Sequence, residues 1–507
     1  MTFEIRDKGL DSLHAQAREI FAYALQTSSI TAAFDRLLRF EKGSLIRRCE
    51  QNGKSTAIPV GEFKKIYVVA VGKASLAMLD TLLARLPRKD RVRGVCCAPT
   101  LPQHRHRNFQ YFVGGHPSPN LDSFRSAHAA LRLLKRADEN TFVFFLISGG
   151  GSALFEAPLD NRITLEETID FHRVLVSSGA TITEINTVRK HFSAVKGGRL
   201  AAAAPAATKL TLLLSDVPAQ HLDALASGPT LPDSSTIREC LKIIDRYQML
   251  DRFPPKVRAF FEDPDLPETP GKEVERDSAS AAMATKTDAT LEDNLPETVS
   301  VKAEPLVLTR FERSYVATLL SNEELVEAAR DRAAAQGWTV VIDNTCDDWD
   351  YREAAHYLLR RLHQLRKEAD RVCVLSGGEV TVRLGKAPGA GGRNQQFVLA
   401  CALELAGIPA TGASREDPAL SAAPGESIVV FSAGSDGVDG LSPAAGAIAD
   451  PTTIERAKSL GLDAFASFCA FDSNPLFAAL GDTVVTGPTN NNLRDLRILF
   501  SEAASRL

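Results

Sequence analysis

Residues 148–152 read Ser-Gly-Gly-Gly-Ser and follow TFVFFLI at 141–147, a run of apolar and β-forming residues. Glycine inside an element costs up to about 1 kcal/mol relative to alanine, so three in succession after a strand need a reason. Glycines let a ligand approach backbone N–H groups, and such groups at a helix start attract anions, phosphate above all. The pattern therefore predicts that Ser148, Gly149, Gly150, Gly151 and Ser152 lie against something phosphorylated. A second loop of this kind, Ser376, Gly377, Gly378 and Glu379, follows the apolar run at 372–375.

Two cations stand at comparable places. Lys73, in VVAVGKAS, follows the run 65–71 and opens a helical stretch. A cation there is unfavourable against the helix dipole unless an anion shares the site. Arg393, in GAGGRNQQF, stands where a glycine loop becomes a helix, and its guanidinium can grip a carboxylate or phosphate through two parallel bonds. Asp216, Asp436 and Asp439 follow other strand-like runs and offer the hard oxygen ligands that Mg²⁺ prefers. Any one of these aspartates alone reads rather as a turn or cap residue, and His116 in GGHPSP as a turn histidine. Several strand exits of this kind together favour a ligand site, because open α/β sheets bind ligands beyond the carboxyl ends of their strands.

Two familiar phosphate motifs are absent. Gly53-Lys54-Ser55-Thr56 resembles the end of a P-loop, but Arg48 stands where its first glycine belongs, and no buried strand precedes it. In the dinucleotide fingerprint G-x-G-x-x-G, Gly149-x-Gly151 would need a small residue where Leu154 stands.

The elements that must position these residues alternate between strand-like and helix-like runs. Strands are expected at 65–71, 142–147, 210–214, 316–320, 338–342, 372–375 and 428–432. Helices are expected between them, one opened by a capping box at Thr164 and Glu167. The alternation predicts an α/β fold: two three-layer lobes with mainly parallel sheets. The N-terminal lobe is expected over 1–263 and the C-terminal lobe over 305–507. Residues 264–304 are rich in Pro, Ser, Thr, Glu, Asp and Lys, with almost no large apolar side chain, and read as a disordered insertion. A weaker stretch of the same kind spans 411–426.

The 507 residues carry a formal net charge of −4 with 44% hydrophobic content. Nothing in that balance favours nucleic acid or an anionic membrane as a partner. The eight cysteines are scattered without a C-x-x-C, which fits a reducing, cytoplasmic setting. There is neither an apolar signal-peptide core nor a run of 18 apolar residues. A monomer or homodimer acting on small molecules is expected.

In these motifs the chain resembles the ATP-dependent glycerate 2-kinases that carry a MOFRL domain. The matching segments are VVAVGKAS (68–75), GGHPSP (114–119), LISGGGSAL (146–154), NTVRKHFSAVKGGRLA (186–201), LSDVP with ASGPT, LSGGE (375–379), GGRNQQ (391–396), SAGSDGVDG with AAGAIAD, and TGPTNNN (486–492). The resemblance implies two α/β domains facing across a cleft, use of ATP and Mg²⁺, and transfer of the γ-phosphate to the 2-hydroxyl of D-glycerate. It assigns function to Lys73 and Arg393, and places Asn394 beside the nucleotide. Three departures stand out: Ala219, Gln220 and His221 where the family has Gly and two acidic residues, Gln396 in place of Glu, and Asn-Leu-Arg at 492–494. Two other functions compete: an NAD(P)-dependent hydroxypyruvate reductase, which lacks its fingerprint here, and a non-catalytic phosphate-ligand binding protein.

Overall fold

The computed structural model describes residues 8–41, 44–47, 56–86, 89–215, 217, 219–270, 307–308, 313–384, 389–410, 420, 426–489 and 491–503. They divide into two compact units. One is continuous, residues 33–319, and the other joins residues 1–32 to 320–507.

The continuous unit opens with a small antiparallel sheet of β1 (Arg39–Glu41), β2 (Ser44–Arg47) and β3 (Thr56–Ile58). Its main sheet contains β4 (Lys65–Val71), β5 (Val92–Ala98), β6 (Phe109–Val113), β7 (Thr141–Ser148), β8 (Thr208–Leu214), β9 (Val307–Leu308) and β10 (Ser314–Leu320), in the order β6-β5-β4-β7-β8-β10-β9. From β6 to β8 every pairing is parallel, and β9 closes the edge antiparallel to β10. Every residue of β7 is buried. That explains its unbroken apolar run, since a central parallel strand is covered on both faces. The strand order reverses between β4 and β7, so their carboxyl ends flank the crevice where doubly wound sheets take ligands.

The other unit holds β11 (Thr339–Ile342), β12 (Arg371–Gly378), β13 (Glu426–Gly434), β14 (Gly446–Ala449), β15 (Thr483–Val484) and β16 (Asp495–Ala503), ordered β11-β12-β16-β13-β14-β15. Four of these strands point one way, as expected, but the ladders do not follow. The C-terminal β16 lies antiparallel between β12 and β13, and β14 opposes its neighbours, so only β11 and β12 pair in parallel. The helix Lys8–Thr27 belongs to this unit. It buries Leu13, Ala17, Ile20, Phe21 and Ala24 on one face and sets Phe21 against Phe431, ring centroids 5.2 Å apart.

Three sequence boundaries therefore move. The first 32 residues pack with the C-terminal unit rather than the N-terminal one. β10, expected to open the second lobe, completes the first sheet. The insertion expected over 264–304 does not begin at 264. Thr269 is fully buried and donates to Asp233 Oδ2 (3.0 Å), Glu268 accepts from the Ile237 N–H (3.1 Å), and Arg199 donates to the Pro267 carbonyl (3.1 Å). One short polar side chain with a buried partner pins a segment that composition alone marks as unstructured. The rest of that stretch, from 271, and most of 411–426 lie outside the described residues, as do Gly53, Lys54 and Ser55. Among the described residues no helix is long and apolar enough to cross a membrane.

Replacing residues 271–304 by a short Gly/Ser linker should leave the melting temperature within a few degrees of wild type, because loop closure changes only slowly with length. Replacing 264–304 should cost about 1–3 kcal/mol, since the deletion strips Asp233 of the buried Thr269 partner. Denaturant titration of both variants is the check; equal stabilities would show that Thr269 anchors nothing.

Candidate active site

At the reversal point the register sets Val71 beside Ile147, so the exits of β4 and β7 stand side by side. Ser148 is fully buried, and its hydroxyl accepts from the Ala74 N–H (3.0 Å). The Lys73 N–H donates to the Gly149 carbonyl (2.9 Å). Gly72 lies at φ +118°, and a Cβ there would stand 2.3 Å from Ser148 Oγ. Its freedom thus serves the seam between the strands. Gly150 differs: at φ +79° it caps the short helix Gly151–Leu154, and its open side is roofed by two side chains. A Cβ on Gly150 would meet Lys73 Cγ at 3.2 Å, Lys73 Cε at 3.3 Å and His116 Cδ2 at 3.4 Å.

Lys73 is exposed and forms no ion pair with another described residue. Burial, and then the Lys73 charge, push the His116 imidazole below its ordinary pKa. The backbone N–H groups of Gly150, Gly151 and Ser152 meet no acceptor among the described residues. A free ammonium, a neutral imidazole and unpaired N–H donors therefore converge on one turn. That set can hold an anion, stabilise charge developing on it, and accept a proton beside it.

A buried charge network fixes this loop from the chain that follows it. Glu156 is fully buried. Its Oε2 receives Lys196 Nζ (2.5 Å) and lies 3.2 Å from His172 Nε2, while Oε1 accepts from Ser193 Oγ (2.5 Å). Burial opposes its charge, but Lys196 and His172 outweigh that and hold its carboxyl down at about 2. Lys190 is likewise paired, to Asp223 (2.7 Å) and Asp233 (3.2 Å).

In the other unit a cavity of about 470 Å³ is lined by Arg393, Gln396, Asp436 and Asp439 together with Val380 and Phe471. Because β16 runs antiparallel, its first residue, Asp495, lies at the carboxyl ends of β12 and β13, opposite Gly378 and Gly434. There Asp495 takes Arg393 in a two-pronged grip, Nε at 2.6 Å and Nη2 at 3.0 Å, and Glu379 takes Nη2 as well (2.7 Å). Burial works against the guanidinium charge, but Asp495 and Glu379 more than compensate and raise its pKa. Asp439 caps the helix Arg393–Leu405: it accepts from the N–H groups of Asn394 (3.0 Å) and Gln395 (2.9 Å) and from both their side-chain amides. Burial pushes the Asp439 carboxyl up to about 6, with those N–H groups pulling against it and Asp495 adding to the rise.

The expected site residues thus part company. Lys73, Gly150, Gly151 and Ser152 come together at one turn, whereas Ser148 is corrected to a structural role: it is fully buried and its hydroxyl accepts from the Ala74 N–H (3.0 Å). The loop 376–379 is closed: Gly377 N–H donates to Asn344 (2.7 Å), Gly378 N–H to Asn322 (2.9 Å) and Glu379 N–H to Asp347 (3.0 Å). Ser376 is buried against Arg497 (3.4 Å). The donors that would cradle a phosphate are already spent on side chains, so Ser376, Gly377, Gly378 and Glu379 are corrected to a structural turn. Arg393 reaches the cavity, where it pairs with two carboxylates, Asp495 and Glu379. Asn394 is buried and bonded to Ser432 Oγ (2.5 Å) and Asp439, so it shapes the helix start. Asp216 lies outside the described residues. Asp436 lines the cavity, and its carboxylate accepts only from the Val438 N–H (3.1 Å) among the described residues. No three His, Cys, Asp or Glu among the described residues gather into a metal cage. Asp495, Asp347, Asn186, Arg189 and Ser227 were missed; 186–192 and 486–492 were visible only as motif segments.

Comparison with known proteins gives a consistent result. Residues 16–262 match the family described as "Domain of unknown function (DUF4147)", and residues 372–495 match the MOFRL family. The chain is 32% identical over 446 residues to the D-glycerate 2-kinase of Thermotoga maritima, covering 87% of this chain and 92% of that one. It is also 32% identical over 444 residues to an Agrobacterium vitis protein that carries a provisional hydroxypyruvate reductase name, covering 86% and 87%. The crystal structure of glycerate kinase from Thermotoga maritima matches with a TM-score of 0.74 and 28% identity, over 96% of this chain and 99% of that chain.

Lys196→Met should cost about 3–5 kcal/mol at pH 7, because it leaves the Glu156 carboxylate buried without its cation. The pH dependence has a definite sign. In wild type Glu156 titrates below its unfolded value, so its contribution is present above about pH 4.5 and is lost as pH falls toward 2. In the variant the stranded carboxyl prefers its proton. The deficit should therefore shrink between pH 7 and pH 4 in denaturant titrations; a constant deficit would place the cost in packing alone.

Proposed function

The chain belongs to the glycerate kinase family, and on that premise we propose that it transfers the γ-phosphate of ATP to the 2-hydroxyl of D-glycerate, giving 2-phospho-D-glycerate and ADP. The observation that carries this reading is the Lys73 side chain over Gly150 at the reversal point of the sheet, with no ion-pair partner among the described residues. Phosphoryl transfer asks a protein for positioning and charge stabilisation more than for covalent chemistry. In this reading the N–H groups of residues 150–152 receive phosphate oxygens, and Lys73 stabilises the charge that shifts during transfer. His116, held neutral, is placed to take the hydroxyl proton.

Magnesium keeps several waters and needs one or two carboxylates besides the substrate's own phosphates. Asp436 fits that modest demand, since Asp439 and Asp495 are engaged by N–H donors and by Arg393. A bound magnesium ion would supply neutralisation of phosphate charge. Asp216 remains a second candidate on sequence grounds.

The reductase reading has less support. A dinucleotide needs its glycines at the first strand-to-helix turn. Here that turn is Gly72-Lys73-Ala74-Ser75, and the approach through Gly72 is closed by Ser148.

The test is glycerate-dependent ADP release, run beside NAD(P)H oxidation with hydroxypyruvate. Lys73→Met should lower kcat by about a hundredfold while circular dichroism and melting temperature stay at wild-type values. Turnover unchanged in this variant would remove Lys73 from the site. Reductase activity without ADP release would replace the kinase reading altogether.

A further inference from the structure

The helix Ile182–Phe192 carries Arg189, a half-buried guanidinium that forms no ion pair with any described residue. Its Nη1 donates to Asn186 Oδ1 (3.3 Å), while its Nε is buried without a hydrogen-bond partner. Burial lowers its pKa, with Glu156 alone pulling the other way, and Glu156 is already held by Lys196, His172 and Ser193. A buried donor without an acceptor costs about 1–3 kcal/mol, so this one asks for an explanation.

The surroundings supply it. Asn186 Oδ1 also accepts from Ser227 Oγ (3.1 Å), and Ser227 Oγ lies 2.9 Å from Ser152 Oγ. The guanidinium is thus joined through three polar side chains to the glycine loop that faces the phosphoryl site. Ser227 is fully buried in a left-handed conformation, φ 59°, next to Ala226 at φ 52°. Two successive non-glycine residues in that region are strained, and strain of this kind gathers where a site dictates the backbone. Ala226 also closes the loop's far side: a Cβ on Gly151 would stand 2.6 Å from Ala226 Cβ.

We propose that Arg189, with Asn186, Ser227 and Ser152, binds the carboxylate of the acceptor, so that the enzyme selects a short 2-hydroxy acid over a neutral polyol. This rests on the kinase reading and names the residue that recognises its second substrate. The free edge of the guanidinium is the Nε–Nη2 side, the same edge by which Arg393 grips Asp495. A carboxylate fits that edge with two parallel bonds. The two serine hydroxyls, which in the free protein bond to each other, can turn to donate to the same ligand. The carboxylate supplies the counter-charge that the guanidinium lacks, next to the loop where the 2-hydroxyl must meet the phosphoryl group.

The experiment uses the full chain with Arg189→Gln and Arg189→Lys. Arg189→Gln should raise KM for D-glycerate by about tenfold or more, as loss of a charge-assisted pair does. KM for ATP should change less than about twofold, and kcat should fall only modestly. Arg189→Lys keeps the charge without the fork and should recover little of the loss. Turnover of glycerol, the acceptor without a carboxylate, should be the same in all three proteins, so the preference for glycerate collapses in the variants. Should the Gln variant fail to fold, the Lys variant with its melting curve decides alone. An unchanged glycerate KM, or a rise in the ATP KM instead, would overturn the assignment. The kinase reading fails separately, if wild-type protein releases no glycerate-dependent ADP; calorimetric titration with D-glycerate then still compares wild type with Arg189→Gln.

Discussion

The hydroxyl of Ser148 fastens the end of β4 to the end of β7, and the first unit's site depends on that clasp. It is fully buried, accepts from the Ala74 N–H and donates toward the Val71 carbonyl (3.4 Å). In a dry environment these bonds are expensive to lose. Gly72 has no side chain because Ser148 occupies the space. With the seam closed, the Lys73 N–H is committed to the Gly149 carbonyl, and the lysine side chain leads out over Gly150. The lysine side chain is therefore placed by backbone pairing, without any carboxylate among the described residues to hold it.

The two glycine loops show how far the sequence was legible. Both follow buried strands, both begin with serine, and both were expected to face phosphate. Strand positions, the switch from strand to helix and the capping box at Thr164 and Glu167 follow from local periodicity and side-chain chemistry, and the structure reproduces them. Whether a loop's N–H groups are free is settled by residues far away in the chain. Asn322, Asn344 and Asp347 fill the donors of 377–379 from distances of 32 to 56 residues. No local pattern records that, so composition alone could not tell an open cradle from a closed turn.

The same holds for the carboxylate that fixes Arg393. β16 reads DLRILFSEA, which would suit a parallel or an antiparallel neighbour equally well. Only its antiparallel insertion between β12 and β13 carries Asp495 to the strand exits, where ligand-facing residues gather. The motif GGRNQQ announced the arginine but not its partner. That partner shows what fixes Arg393: Asp495 and Glu379 hold it at the edge of the cavity.

Charge pairing then separates structure from function within the first unit. Lys190 and Lys196 are almost wholly buried, and each has a carboxylate at hydrogen-bond distance. Such a pair contributes little net stability, but breaking it is costly, so these lysines are committed to the fold. Lys73 and Arg189 have no carboxylate partner among the described residues. They are not scattered over the surface: one roofs Gly150, and the other is linked through Asn186 and Ser227 to Ser152, two residues further along the same loop. Among the described residues, then, the buried Lys190 and Lys196 are satisfied while two cations stay without a carboxylate around one glycine turn, which holds positive charge in reserve there. In the proposed reaction a polyphosphate and a carboxylate would bring the negative charge that balances it.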